Sequence, residues 1–179
     1  MKILRTKKWM FAIFIPGFLL GILYVNVMIG RHLTDYSIFS EYFLKQYASV
    51  DVSVPEYMMY LTGIRLFPFF MLAGLIFTRF RKAAAGIFLV WTGFSGGMLL
   101  TMGAFSMGIK GVLLCMVALL PHFLFYIPAY VVLLWYAMTA PHNRWNRQKT
   151  IFVLLMLGMG IVSEGYVGPV LMKTFLKTL

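Results

Sequence analysis

The chain has 179 residues, of which 61% are hydrophobic and only 12% are charged. A soluble domain of this size could not bury so much apolar surface, so the composition predicts an all-α polytopic membrane protein, with residues 1–179 in one membrane domain. The formal net charge is +11, but the basic residues form short clusters between apolar runs. Such clusters encode orientation in a lipid bilayer, so nucleic acid is not the expected partner.

Five apolar runs are long enough to cross a bilayer, which takes about 20 residues. They cover residues 9–29, 57–77, 83–104, 111–140 and 150–170. The first run is too long for a signal-peptide core and no Ala-x-Ala site follows it, so we expect an uncleaved span. The positive-inside rule predicts an inner N-terminus and an outer C-terminus. This orientation places three basic clusters inside: Lys2, Arg5, Lys7 and Lys8; Arg79, Arg81 and Lys82; Arg144, Arg147 and Lys149.

The one sizeable connection is the outer loop, residues 30–56. In it, Thr34 can cap a helix whose aromatic residues recur at helical spacing, namely Tyr36, Phe39, Phe43 and Tyr47. This pattern predicts a short amphipathic helix at the outer surface. Such a helix either rests among the lipid headgroups or provides a docking surface for an extracytoplasmic partner.

Arg65 in the second span and Glu164 in the fifth lie about 12 Å and about 9 Å from the outer ends of their spans, at 1.5 Å per residue. An isolated charge at such a depth is unfavourable, and an ion pair would remove much of that penalty. The alternative is that Arg65 extends towards water while Glu164 is protonated. We expect both residues, with His122, to form an intramembrane polar network.

The third span contains Gly93-Phe94-Ser95-Gly96, which matches the Gly-x-Ser-Gly pattern of rhomboid intramembrane proteases. A dyad of Ser95 and His122 would make the chain an intramembrane serine protease. Rhomboids, however, carry their histidine two spans after the serine, whereas His122 lies in the next span. The other interpretation is close helix packing at several glycines, with Ser95 bonding across the interface. Those glycines are Gly86, Gly93, Gly96, Gly97 and Gly103.

The fourth span contains Pro121, His122 and Pro128 near its centre. Because each proline removes a backbone donor, we expect a kinked helix that is tilted, bent or partly re-entrant. The imidazole either bonds carbonyls that the kink frees or acts as a proton relay or base, and we favour the structural role. The other histidines lie on opposite faces of the bilayer and Cys115 is the single cysteine, so no metal, cofactor or disulfide is expected.

Two segments carry a resemblance to a known family. Leu119-Leu120-Pro121-His122 with Ile127-Pro128-Ala129, and the ending Ser163-Glu164-Gly165-Tyr166 with Gly168-Pro169-Val170-Leu171-Met172-Lys173, resemble the stage II sporulation protein M family. Phe123 and Tyr126 depart from it, since the broader family often has glycine and glutamate there. The missing glutamate argues against a catalytic or transport role and leaves a scaffold role intact.

The resemblance implies a multi-pass cell-membrane protein of the septal, engulfing membrane that is not itself an enzyme. It would recruit the peptidoglycan-degrading stage II sporulation proteins D and P for wall remodelling during forespore engulfment. We expect partners to bind the aromatic stripe of the outer loop and the C-terminal segment with Met172 and Lys173. Because other members occur beside ATP-binding-cassette transporters, a membrane subunit of such a transporter is the alternative.

Overall fold

The computed structural model describes residues 2–29, 46, 54–140 and 144–176, and every regular element in these ranges is helical. The long helices are α1 (Lys2–Ile29), α2 (Val54–Ile76), α3 (Arg81–Met107), α4 (Ile109–Thr139) and α5 (Arg147–Val162). A π-helical segment, Ser163–Val167, joins α5 to α6 (Gly168–Leu176). With Arg147–Leu176 as one unit, five helices are long and apolar enough to cross a membrane. The predicted number of spans is therefore confirmed.

The helices begin and end at different residues from the predicted spans, most clearly in the third and fifth. α3 starts at Arg81 and the fifth unit at Arg147, so basic residues excluded from the apolar runs form the first helical turns. Hydropathy marks only the apolar part of a helix, whereas backbone hydrogen bonding continues into the polar interface. The predicted outer helix with Tyr36, Phe39, Phe43 and Tyr47 lies outside the described residues.

α4 is an unbroken helix of 31 residues that contains both Pro121 and Pro128. The partly re-entrant alternative is therefore wrong, because the chain does not turn back inside this segment. Helices in membranes tolerate proline where neighbouring groups replace the lost hydrogen bonds. The kink at the prolines stays a prediction.

α1 and α3 pack in parallel with their backbones in close contact. A Cβ atom at Gly17 would collide with the backbone of Val90, and one at Gly97 would collide with the backbone of Phe18. Gly21 and Gly93 make the same kind of contact, so each helix provides two small residues four positions apart.

The packing prediction for the third span is correct in part. Gly93, Gly97 and Gly103 lie against other helices, but Gly86 and Gly96 face open space, so the expectation is wrong for these two. At about 100° per residue, Gly96 is turned about 60° away from Gly93 around α3, whereas Gly86 lies two turns before Gly93 on nearly the same side, at a point where no atom of another helix lies close to it. Ser95 makes no hydrogen bond to another described residue across the interface.

The main core lies between α2, α4 and α5, where Ile76, Leu133 and Leu157 are fully buried. A smaller cluster around Leu114 and Cys115 joins α3, α4 and α6. Cys115 is thus a packing residue.

The basic clusters of the described residues lie at one end of the bundle. The Trp145 ring packs edge-on against Phe77 and Tyr136, with ring centroids 5.4 and 5.1 Å apart. These contacts bring the turn after α2 and the start of α5 together, and the parallel packing of α1 and α3 adds Lys8 to the same end. α6 packs near the start of α4, at the opposite end. The orientation of this bundle relative to the cell stays a prediction.

Candidate functional site

Arg65 of α2 and Glu164 of the π-helical segment form an ion pair inside the membrane-spanning region. Arg65 Nε donates to Glu164 Oε2 at 2.9 Å and to Oε1 at 3.2 Å, and Nη2 donates to Oε1 as well. The Arg65 side chain is 37% exposed, whereas the Glu164 side chain is 11% exposed. The structure therefore brings together the two charges that the sequence placed at similar depth.

Tyr126 of α4 is the third member of this cluster, and our sequence reasoning did not include it. Its hydroxyl donates to Glu164 Oε2 at 2.9 Å, and its ring lies 5.5 Å from Arg65 Cζ, in cation–π range. The cluster thus joins α2, α4 and the fifth span. One signal could have revealed it: Tyr126 follows His122 by one helical turn, so both residues share a face of α4.

Glycine makes room for the Tyr126 ring. A Cβ atom at Gly160 of α5 would overlap this ring, and Gly160 precedes Glu164 by four residues. Gly165 directly follows Glu164, and a Cβ atom at Gly165 would overlap the sulfur of Met58 in α2. The two glycines therefore let α2 and α4 approach the carboxylate from two sides. The π-helical geometry of Ser163–Val167 places Glu164 between them, and π-helical turns occur frequently at functional sites.

Three donor groups hold the Glu164 carboxylate, which has about four acceptor positions when it is ionised. Arg65 donates one hydrogen from Nη2 and one from Nε that both oxygens share, and the Tyr126 hydroxyl donates the third. Most of the acceptor positions are therefore taken by side chains of α2 and α4, and the cluster links these two helices to the fifth span.

His122 is buried, at 5% exposure, beside this cluster. Its ring centroid lies 5.7 Å from that of Tyr126 and 5.1 Å from that of Phe123. Neither ring nitrogen has a hydrogen-bond partner among the described residues. The prediction that the imidazole bonds carbonyls freed by Pro121 is wrong, because neither nitrogen bonds a described carbonyl and the ring packs against two aromatic side chains. His122 adjoins the polar network without bonding to it.

The lack of hydrogen-bond partners at His122 also tests the predicted dyad, and the spacing of possible ligands tests metal binding. Since both His122 nitrogens lack partners in the described part of the chain, Ser95 and His122 are not hydrogen bonded. Among residues 2–29, 46, 54–140 and 144–176, no three His, Cys, Asp or Glu side chains lie close enough together to hold a metal ion.

The C-terminal candidates for partner binding lie on α6. Met172 packs on the buried pair Leu114 and Cys115, so part of its surface is already used inside the bundle. Lys173 is half-buried. The outer-loop candidates Tyr36, Phe39, Phe43 and Tyr47 fall outside the described residues.

Compared with family models, curated proteins and solved structures, the chain matches none. The resemblance to the stage II sporulation protein M family rests on the sequence motifs alone.

Proposed function

We propose that this chain is a multi-pass membrane scaffold that recruits peptidoglycan hydrolases for septal wall remodelling and forespore engulfment. Its expected partners are the stage II sporulation proteins D and P, and its expected location is the septal membrane. The partners and the location come from the family resemblance. The five-helix architecture is compatible with them, since a multi-pass scaffold is expected to consist of membrane-length helices.

The engagement of the Glu164 carboxylate by Arg65 and Tyr126 is the observation that carries this proposal. A catalytic or transporting carboxylate must bind or release a proton, an ion or a substrate during its cycle. Glu164 instead holds Arg65 and Tyr126 from two other spans. A rigid bundle of this kind can hold the start of α2 and the end of α6 at fixed positions, and both flank the surfaces that we expect partners to bind.

Affinity purification of the tagged chain from sporulating cells tests the proposal. We expect proteins D and P to co-purify with the wild-type chain and to be lost with the Phe39→Ala, Phe43→Ala variant. Ser37→Ala, Ser40→Ala is the matched control, because it changes the same segment outside the aromatic stripe. Recovery of an ATP-binding subunit without either hydrolase would overturn the scaffold.

A membrane subunit of an ATP-binding-cassette transporter is the second candidate, and the unpaired His122 favours it. A buried polar side chain without a partner is a feature of transport paths. In a Cys115→Ala background, His122→Cys would then react with a membrane-impermeant thiol reagent. The scaffold predicts no reaction at this position, with Leu124→Cys as a comparison on the exposed side of α4.

A further inference from the structure

An apolar groove of about 630 Å³ lies between α1 and α3 on the outside of the bundle. Its lining is Ile13, Gly86, Ile87, Val90, Trp91 and Phe94. The groove is open because Gly86 has no side chain and no other atom occupies the space where a Cβ would lie. Its volume falls in the range of about 300–1,000 Å³ that is typical of small-molecule sites.

The length of the groove matches one leaflet of a bilayer. Gly86 and Phe94 are eight residues apart, which is about 12 Å along α3 at 1.5 Å per residue. The hydrocarbon of one leaflet is about 15 Å thick, half of the about 30 Å core. The backbones of α1 and α3 are in contact from Val90 onwards, through Gly17, Gly93 and Gly97, so the space between the two helices is widest on the Gly86 side of Val90. A transmembrane helix of a partner would need a face twice as long.

The groove leads towards a basic end of the bundle. Lys82 precedes Gly86 by about 6 Å, and Lys8 precedes Ile13 by about 7.5 Å, along their helices. Lys8, Lys82 and Arg79 of the adjoining turn are all exposed. Of the two acids among the described residues, Glu56 lies at the far end of α2 and Glu164 in the ion pair. Trp9, exposed beside Lys8, is typical of the headgroup level.

We propose that this groove binds an anionic phospholipid, with one acyl chain along Gly86–Phe94 and the headgroup among Lys8, Arg79 and Lys82. The apolar lining takes the chain, and flexible basic side chains extend to the phosphate. Basic pockets between membrane helices are known to select anionic headgroups. The shape of the groove retains the acyl chain, and the basic side chains select an anionic headgroup.

Quenching of Trp91 fluorescence by brominated lipids tests this site. The purified chain is placed in phosphatidylcholine nanodiscs containing increasing fractions of brominated phosphatidylglycerol or brominated phosphatidylcholine. The signal of Trp91 is the difference between the wild-type chain and Trp91→Phe. We expect brominated phosphatidylglycerol to reach half-quenching at a lipid fraction at least fivefold lower than brominated phosphatidylcholine. Lys8→Gln and Lys82→Gln should each reduce this preference about fivefold, because one basic residue contributes about 1 kcal/mol to binding an anionic headgroup.

A Cβ atom at Gly86 would meet no other atom, so Gly86→Leu places an apolar side chain in the groove, and we expect it to abolish the preferential quenching. Gly158→Leu is its control, since Gly158 also faces open space but lies on α5. Arg147→Gln is the charge control, because α5 does not contact α1 or α3. Circular dichroism and a monodisperse elution profile establish that each variant is folded.

Equal quenching by both lipids, or a preference that survives Gly86→Leu in the folded protein, would overturn the proposal. So would a dimer that forms in detergent and is lost in Gly86→Leu, because a second copy would then occupy the groove.

Discussion

Removing the partners of the Arg65–Glu164 pair one at a time and together tests whether this pair holds α2 to the fifth span. The variants are Arg65→Leu, Glu164→Leu and the double variant. Leucine is chosen because it keeps apolar volume in the bundle and cannot take part in an ion pair. Arg79→Leu removes an exposed arginine in the turn after α2 and serves as the control.

The geometry sets the expected magnitudes. Breaking a buried ion pair by removing one partner costs about 3–5 kcal/mol. Arg65→Leu leaves a buried carboxylate, so we expect about 3 kcal/mol, at the low end because Tyr126 still donates to it. Glu164→Leu leaves a guanidinium that is 37% exposed, so we expect about 2 kcal/mol after allowing for screening. The double variant leaves only the Tyr126 hydroxyl without its acceptor, about 1 kcal/mol.

Reversible unfolding in mixed micelles, titrated with a denaturing detergent, measures these differences. The free energy of unfolding of the double variant should be at least about 2 kcal/mol higher than the value obtained by subtracting both single losses from wild type. Independent sites deviate from such additivity by only about 0.5 kcal/mol. Arg79→Leu should stay within about 0.5 kcal/mol of wild type. Losses that simply add would refute the pair as a link between the spans.

Three further changes probe other contacts of the bundle, the first two by the same unfolding measurement and the third by the amount of protein that accumulates in the membrane. Gly160→Ala pushes its methyl group into the Tyr126 ring and should destabilise the protein by about 1–3 kcal/mol; Gly158→Ala, in open space, should not, and equal effects would contradict the packing. His122→Leu removes unpaired polar atoms and should leave stability unchanged or raise it by about 1 kcal/mol; a large loss would show that the imidazole has a partner. Gly93→Leu should separate α1 from α3 and prevent accumulation, whereas Gly96→Leu should accumulate normally, and the reverse order would disprove the close contact.

Prediction from sequence succeeded where a residue's own chemistry is decisive in a membrane. Arg65 and Glu164 are opposite charges at similar depth, and their contact follows from the penalty of leaving either alone in hydrocarbon. The same reasoning predicted hydrogen bonds of the His122 imidazole that are not found among the described residues. A histidine next to proline suggested bonds to freed carbonyls, but neither ring nitrogen bonds a described carbonyl.

Other features depended on neighbours that are distant in sequence. Gly93 and Gly96 lie three residues apart in the same apolar run, yet one contacts α1 and the other faces open space. Tyr126 became part of the cluster only because Gly160, 34 residues later, leaves space for its ring.

By itself, the sequence determined the membrane class, the five helices and the separation of basic from acidic segments, because the energy of transfer into a bilayer depends on each residue's own polarity. The tertiary structure decided which helices touch, which glycines lie at contacts and which polar atoms are paired. Those outcomes follow from helix rotation and from steric fit between segments far apart in the chain, and apolar periodicity is uninformative about them in spans that are apolar on every side.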